Sequence, residues 1–410
     1  MAVTSVWAAA GGLPAAAPEA AGVSSARLEN VTATFQRAVD SGELPGAVLA
    51  IARRGHLVYE KSVGWRDFER KAPMSSDAIF RMYSMTKPIV SVAAMMLVEE
   101  GRLSLDEPVS KYIPEFAKMT VGVETPDPNG GAPTFTTVPA KRQITVHDLL
   151  RHTSGLTYGV LGAKTAVKQL YIDNEIFSQK WVLADFARAL AKLPLAFEPG
   201  TTFEYSHSTD VLGRVVEVAS GKTLDVFLKE RILDPLGMKD TAWEVAPENV
   251  DRFAQPRPDV YTGETPKMLD LTQKATFFAG GHGLVSTAAD YIRFCQMLLN
   301  GGTLEGVRIL GPKTLSFMAS NHLNTQISPG PNYIPGPGYG FGLGFAVRLE
   351  TGQSDWPGST GEYFWAGAGG TYFWIDPKEQ VVAVLLSQEP VRRQHWRVVF
   401  RDLVYQSLGD

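Results

Sequence analysis

Phe80-Arg81-Met82-Tyr83-Ser84-Met85-Thr86-Lys87-Pro88 leads straight into Ile89-Val90-Ser91-Val92-Ala93-Ala94-Met95-Met96-Leu97-Val98, and the run stops at Glu99-Glu100-Gly101. The apolar segment is too long for an average strand, is rich in Ala and Met, and ends at a glycine suited to a C′ position. It reads as a helix. Because it is apolar on nearly every side, it belongs in the middle of a large domain. Pro88 locates its start. A proline ring clashes with the carbonyl four residues back, here that of Ser84, so Pro88 lies within the first turn. Ser84 therefore sits at or next to the helix N-terminus, with Lys87 one turn on and on the same face.

A serine in that position faces unpaired backbone N–H groups and the positive end of the helix dipole, both of which favour an alkoxide or a nearby oxyanion. A buried amine one turn away can take the serine proton. S-x-x-K alone also fits a helix cap followed by a solvated lysine. The fully apolar helix behind it favours the buried amine.

At 410 residues the chain can bury a substantial core, as one large domain or two intimate ones. With 44% hydrophobic and 20% charged residues it has the composition of a soluble globular protein. A net charge of -4 and the lack of a basic stripe give no sign of a nucleic-acid partner. Cys295 is the only cysteine, which excludes an intrachain disulfide and a cysteine-rich zinc site, and its apolar neighbours predict a buried helical thiol. No segment has the length and apolarity of a membrane span. The first eighteen residues lack the positive start of a signal peptide, so a cytoplasmic location is expected.

In chain order, Ser24-Ser25 opens an amphipathic helix to about Ser41, and Gly46–Arg53 and His56–Gly64 read as strands joined by a hairpin turn at Arg54-Gly55. From Leu103 to about Lys274 the pattern is helical and loop-rich, with a breaker-dense loop at Thr125–Pro133. Short helices are expected at 145–152, 182–193 and 210–219. Gly280–Thr287 reads as a strand leading to a helix. Tyr339–Val347, Tyr363–Gly367, Thr371–Ile375 and Val381–Leu386 read as further strands before a final helix near 393–407. Strands at both ends with helices between predict one antiparallel sheet built from the two termini, not a doubly wound parallel one.

No serine shows the G-x-S-x-G spacing, and the seven histidines form no metal-ligand spacing. No phosphate loop or dinucleotide fingerprint is present, so no cofactor and no metal are expected. His152, at a helix end, reads as structural. Tyr205 follows a Pro199-Gly200 turn and precedes a helix, where an exposed phenol tip is plausible.

Ser84-Met85-Thr86-Lys87, Tyr205-Ser206-His207 and Trp365-Ala366-Gly367 resemble, in order, the S-x-x-K, Y-x-[NS]-like and W-x-G elements of family VIII carboxylesterases, relatives of class C β-lactamases and serine D,D-peptidases. Supporting phrases at 152–156, 236–241 and 280–287 extend the resemblance from about Val23 to the end. It implies an α+β, penicillin-binding-protein-like fold, with an antiparallel sheet flanked by helices plus a mostly helical domain. Residues 1–22 would be a flexible start, 23–102 and 280–410 the mixed domain, and 103–279 the helical one, with the site between the last two. Residue by residue, the resemblance implies Ser84 as nucleophile, Lys87 as its base partner and Tyr205 as the group that delivers a proton to the leaving alcohol. The backbone N–H groups of Ser84 and Ala368 would form the oxyanion hole, and Tyr83, His207, Trp365 and Gly367 would contact substrate.

Two departures bear on the substrate. Trp365 stands where lactamases and peptidases carry the lysine of K-[ST]-G, which helps hold a substrate carboxylate. His207 replaces an asparagine. Both favour a neutral acyl ester, hydrolysed through an acyl-enzyme, with slow β-lactam turnover at best. The partner is then a small-molecule ester, with neither nucleic acid nor membrane involved. Acyl transfer to an alcohol, a lactamase or peptidase activity, and a catalytically silent penicillin-recognition protein stay open at this point, as does the choice between monomer and homo-oligomer.

Overall fold

All eight residues of strand β1 (Gly46–Arg53) are buried. An antiparallel strand reads this way when both faces of its sheet are covered. In the computed structural model, which describes residues 12–125 and 134–409, β1 lies inside an eight-stranded antiparallel sheet. The other strands are β2 (His56–Asp67), β3 (Ala72–Pro73), β4 (Tyr339–Phe341), β5 (Ala346–Arg348), β6 (Tyr363–Ala366), β7 (Tyr372–Asp376) and β8 (Val381–Ser387). Their spatial order is β4-β5-β6-β7-β8-β1-β2-β3. β1 pairs with β8 from Ala47↔Ser387 to Arg53↔Val381, so the two ends of the chain do build one sheet. Arg54 and Gly55, at φ 54° and 81°, make the tight turn between β1 and β2.

Five helices matter for the site: α1 (Ser25–Asp40), α2 (Thr86–Glu99), α3 (Ser208–Ser220), α4 (Ala288–Leu299) and α5 (Arg393–Tyr405). The period of two in β1 and β8 sends alternate side chains into two cores. Val48, Ala50, Ala52, Val382, Val384 and Leu386 join the larger one, which holds α2, α3 and α4. Ala47, Leu49, Ile51, Val381, Ala383 and Leu385 join the other, closed by Phe35 of α1 and Trp396 and Phe400 of α5. Every residue of α2 from Thr86 to Leu97 is buried, as its all-round apolarity predicts, and Gly101 beyond its end takes φ 67°. Cys295 is buried within α4, and burial pushes its thiol pKa up.

Several expectations change. Tyr339–Val347 is two short strands, β4 and β5, because the Gly342-Leu343-Gly344 segment turns back, with Gly344 at φ 108°. Within Gly280–Thr287 only Val285–Ser286 is a strand. The helical region contains a hairpin, Thr120–Thr125 paired with Thr134–Pro139. The loop expected between them falls at 126–133, outside the described residues. Residues 12–22, expected as part of a flexible start, are packed: Leu13 is buried and the Ala16 N–H donates to the Leu57 carbonyl. Residues 1–11 lie outside the description. Among the described residues no helix is long and apolar enough to cross a membrane.

Candidate active site

α2 is preceded by one turn of 3-10 helix, Tyr83–Met85, which carries Ser84 into the helix N-terminus. Tyr83 holds φ 46°, a left-handed conformation that a non-glycine residue adopts only under constraint. Its phenol accepts a bond from the Leu269 N–H at 3.0 Å. The turn thus aims Ser84 outward while the rest of α2 stays in the core. Lys87 lies one turn on, 1% exposed. Its Nζ is 3.3 Å from Ser84 Oγ, 3.0 Å from Tyr158 Oη and 2.7 Å from the Gly281 carbonyl. As an ammonium, Lys87 donates to all three. As an amine it keeps two donors for Gly281 and Tyr158, and its lone pair falls on the serine.

Tyr205 meets this group from the first residues before α3. Lys87 Nζ stands 4.6 Å from the Tyr205 ring centroid, and Tyr205 Oη accepts from Trp365 Nε1 at 3.1 Å. Burial, then Asp210 and Tyr205, push the Tyr158 phenol pKa well up, so it stays protonated beside the lysine.

Beneath the lysine lies a buried carboxylate. Asp210, in the first turn of α3, accepts from the Gly281 N–H at 2.7 Å and from His207 Nδ1 at 2.8 Å. Burial raises its pKa, but His207, His282 and the Lys87 charge outweigh this and bring it to about 2. Burial lowers the pKa of both histidines, that of His282 to about 4. Asp210 thus holds a buried negative charge on the far side of Gly281 from Lys87, and the site's histidines are neutral near pH 7.

Ser84 opens into a cavity of about 530 Å³. Tyr205, Trp365, Gly367 and Ala368 share its wall with Ser84, and Ile334, Trp356, Phe364 and Tyr372 make much of the remainder apolar. Arg393 and Arg397 of α5 also line it, so the cavity is not without positive charge although Trp365 replaces a lysine. Of the residues expected at the site, Ser84, Lys87, Tyr205, Trp365, Gly367 and Ala368 come together. Tyr83 and His207 do not reach the cavity wall. Tyr83 is turned to Leu269, and His207 is held by Asp210 with its ring 4.3 Å from Tyr158.

Tyr158, Asp210 and the Gly281 carbonyl were not read from sequence. Tyr158 stands two residues after the His152–Leu156 phrase and Asp210 five after Tyr205, so each had a flag nearby. Nothing in a single chain signals that an aspartate in a helix's first turn is fully buried.

A protein-family model described as Beta-lactamase matches residues 31–401. Esterase EstB of Burkholderia gladioli is 34% identical over 345 residues, covering 79% of this chain and 80% of that protein. Lovastatin esterase of Penicillium rubens is 33% identical over 344 residues, covering 77% and 82%. Among solved structures, EstCE1, described as a hydrolase with promiscuous acyltransferase activity, superposes with a TM-score of 0.78 at 28% identity, covering 92% of this chain and 98% of its own.

Proposed function

The chain belongs to the beta-lactamase family as a family VIII carboxylesterase, and we propose that it hydrolyses short to medium acyl esters through an acyl-enzyme on Ser84. It is a carboxylic ester hydrolase of the β-lactamase and penicillin-binding-protein fold. The observation that carries the residue assignment is the Lys87 amine, 3.3 Å from a serine that opens into an apolar cavity at a helix N-terminus.

Ser84 Oγ attacks the acyl carbon and its proton passes to Lys87. The carbonyl oxygen gains the negative charge and takes bonds from the N–H groups of Ser84 and Ala368. The C–O bond to the alcohol breaks, and Tyr205, facing the cavity, gives that oxygen a proton which Lys87 replaces. Water then attacks the acyl-serine, its proton returns by the same groups, and the acid leaves. The aromatic wall accepts an uncharged acyl chain. Tyr158 and the Gly281 carbonyl hold the lysine from below, and Asp210 holds Gly281. The reading includes the division into a two-termini unit (23–102, 280–410) and an inserted unit (103–279), with the cavity between parts of both.

A p-nitrophenyl ester chain-length series run beside nitrocefin tests the substrate class, and kcat/KM is expected to favour the short esters. An organophosphonate should label Ser84 alone, and Ser84→Ala should abolish turnover with the fold intact. Labelling of another serine with loss of activity would sink the assignment. Acyl transfer is the second reading, prompted by the activity described for EstCE1. An added acceptor alcohol separates the two by the ratio of new ester to acid.

A further inference from the structure

The two proposed oxyanion donors are held differently. The Ser84 N–H is fixed by the turn into α2. The Ala368 N–H belongs to the turn between β6 and β7, whose own bonds run from the Gly367 N–H to the Thr371 carbonyl (2.9 Å) and from the Gly370 N–H to the Gly367 carbonyl (3.2 Å). That turn lies tight against the strand end before Ser84: a Cβ on Gly367 would stand 2.4 Å from the Met82 carbonyl.

From the other side comes Arg397 of α5. Its Nη2 donates to the Gly367 carbonyl at 2.5 Å and to the Thr371 carbonyl at 3.2 Å. The Gly367 C=O and the Ala368 N–H are two ends of a single trans peptide plane and point in opposite directions. A cation on the oxygen therefore fixes where the N–H points, and draws charge along the amide so that the N–H becomes the stronger donor.

The placement of Arg397 is costly for a simple tie. No carboxylate of the described residues lies within 4.0 Å of it, while Arg393 precedes it by one helical turn and lines the same cavity. Arg393 opens the first turn of α5, where the helix dipole disfavours positive charge, and Arg397 lies one turn on, on the same face. Arg397 Nε is enclosed with no hydrogen-bond partner. Burial, then the Arg393 charge, lower its pKa. A neutral donor would close the same turn without these costs.

We propose that Arg397 is a positioning residue which aims and polarises the Gly367–Ala368 peptide, so that its charge reaches the developing oxyanion through one amide plane. The inference rests on Ser84 as the acylated residue and on the Ala368 N–H as a donor to its oxyanion. Removing an oxyanion donor outright costs about 10²–10³ in kcat. Weakening one should cost less, roughly ten- to a hundred-fold.

The test is Arg397→Met and Arg397→Lys, assayed with a neutral p-nitrophenyl ester and with an arylboronic acid as transition-state analogue. In Arg397→Met, kcat should fall roughly ten- to a hundred-fold with KM within about twofold, and the boronate Ki should rise by a similar factor. Arg397→Lys should recover part of both losses. The acyl-enzyme carbonyl stretch, read by infrared difference spectroscopy, should move to higher frequency in each variant. Should Arg397→Met fail to fold, Arg397→Lys and its infrared shift decide alone. Unchanged kcat and boronate affinity would overturn the proposal. So would a KM increase confined to an ester that carries a carboxylate, since Arg397 would then be reading substrate charge. Wild-type turnover with Ser84 labelling, measured alongside, shows whether the underlying site reading holds.

Discussion

At the scale of single residues, the site separates two groups that the same sequence phrase carries. Tyr205 reaches the cavity, while His207, two residues later, turns inward to Asp210 and is buried. His152 is enclosed by Phe203, Tyr205 and Phe341, with ring centroids 4.7–5.9 Å away. Neither imidazole is bonded to Ser84, and Lys87 holds the place a histidine base would take. His207→Asn keeps a donor for Asp210, and His152→Asn suits the left-handed φ of 57° at that position. Both variants should keep kcat within about tenfold of wild type, whereas loss of a general base costs roughly 10²–10⁴-fold. A loss of that size at either position would favour a Ser-His mechanism over the lysine–tyrosine one. Ser84, Lys87 and Tyr205 were legible because each sits in a short motif. The support from Asp210 and Arg397 was not, because it acts through peptides distant in sequence.

At the scale of elements, legibility followed hydrophobic period. α2 was readable because a run apolar on all sides has one packing solution, and the β1–β2 hairpin because Arg54-Gly55 sits between two apolar runs. The glycine-rich stretches misled, since alternating glycine and apolar residues imitate a strand. Their glycines serve close approach instead. A Cβ on Gly344 would stand 2.5 Å from Ser91 Oγ of α2, and one on Gly280 would stand 2.2 Å from the Thr209 carbonyl of α3. The Gly280–Leu284 segment is thus pressed onto the first turn of α3, which brings the Gly281 carbonyl to Lys87. Gly280→Ala meets backbone it cannot push aside, and should cost about 2 kcal/mol or more, as overpacking does. Turnover should fall with it, because the segment also holds the lysine. A melting temperature within 1 °C of wild type, on the order of the smallest resolvable change, would contradict this packing.

For the whole molecule, the buried imidazoles set the response to acid. The pKa of His282 falls to about 4 in the folded protein, with burial the chief cause, against an ordinary value of 6.5. Its native state therefore takes up its proton later than the unfolded chain does. Stability is full above about pH 6.5 and declines as pH falls toward 4, by up to about 3 kcal/mol for this group. Asp210, at about 2, stays ionised across that window and does not offset the loss. Urea unfolding should give a lower midpoint at pH 4.5 than at pH 7, and His282→Gln should narrow that difference. An identical difference in the variant would remove His282 from the account. The sheet has a further consequence for how the protein is made. β1 is apolar on both faces and leaves the ribosome early, yet its partner β8 is among the last strands to be synthesised. At roughly 5–20 residues per second, β1 waits tens of seconds with only β2 beside it. The open edge of a half-built sheet is thus a built-in stage in the birth of every copy.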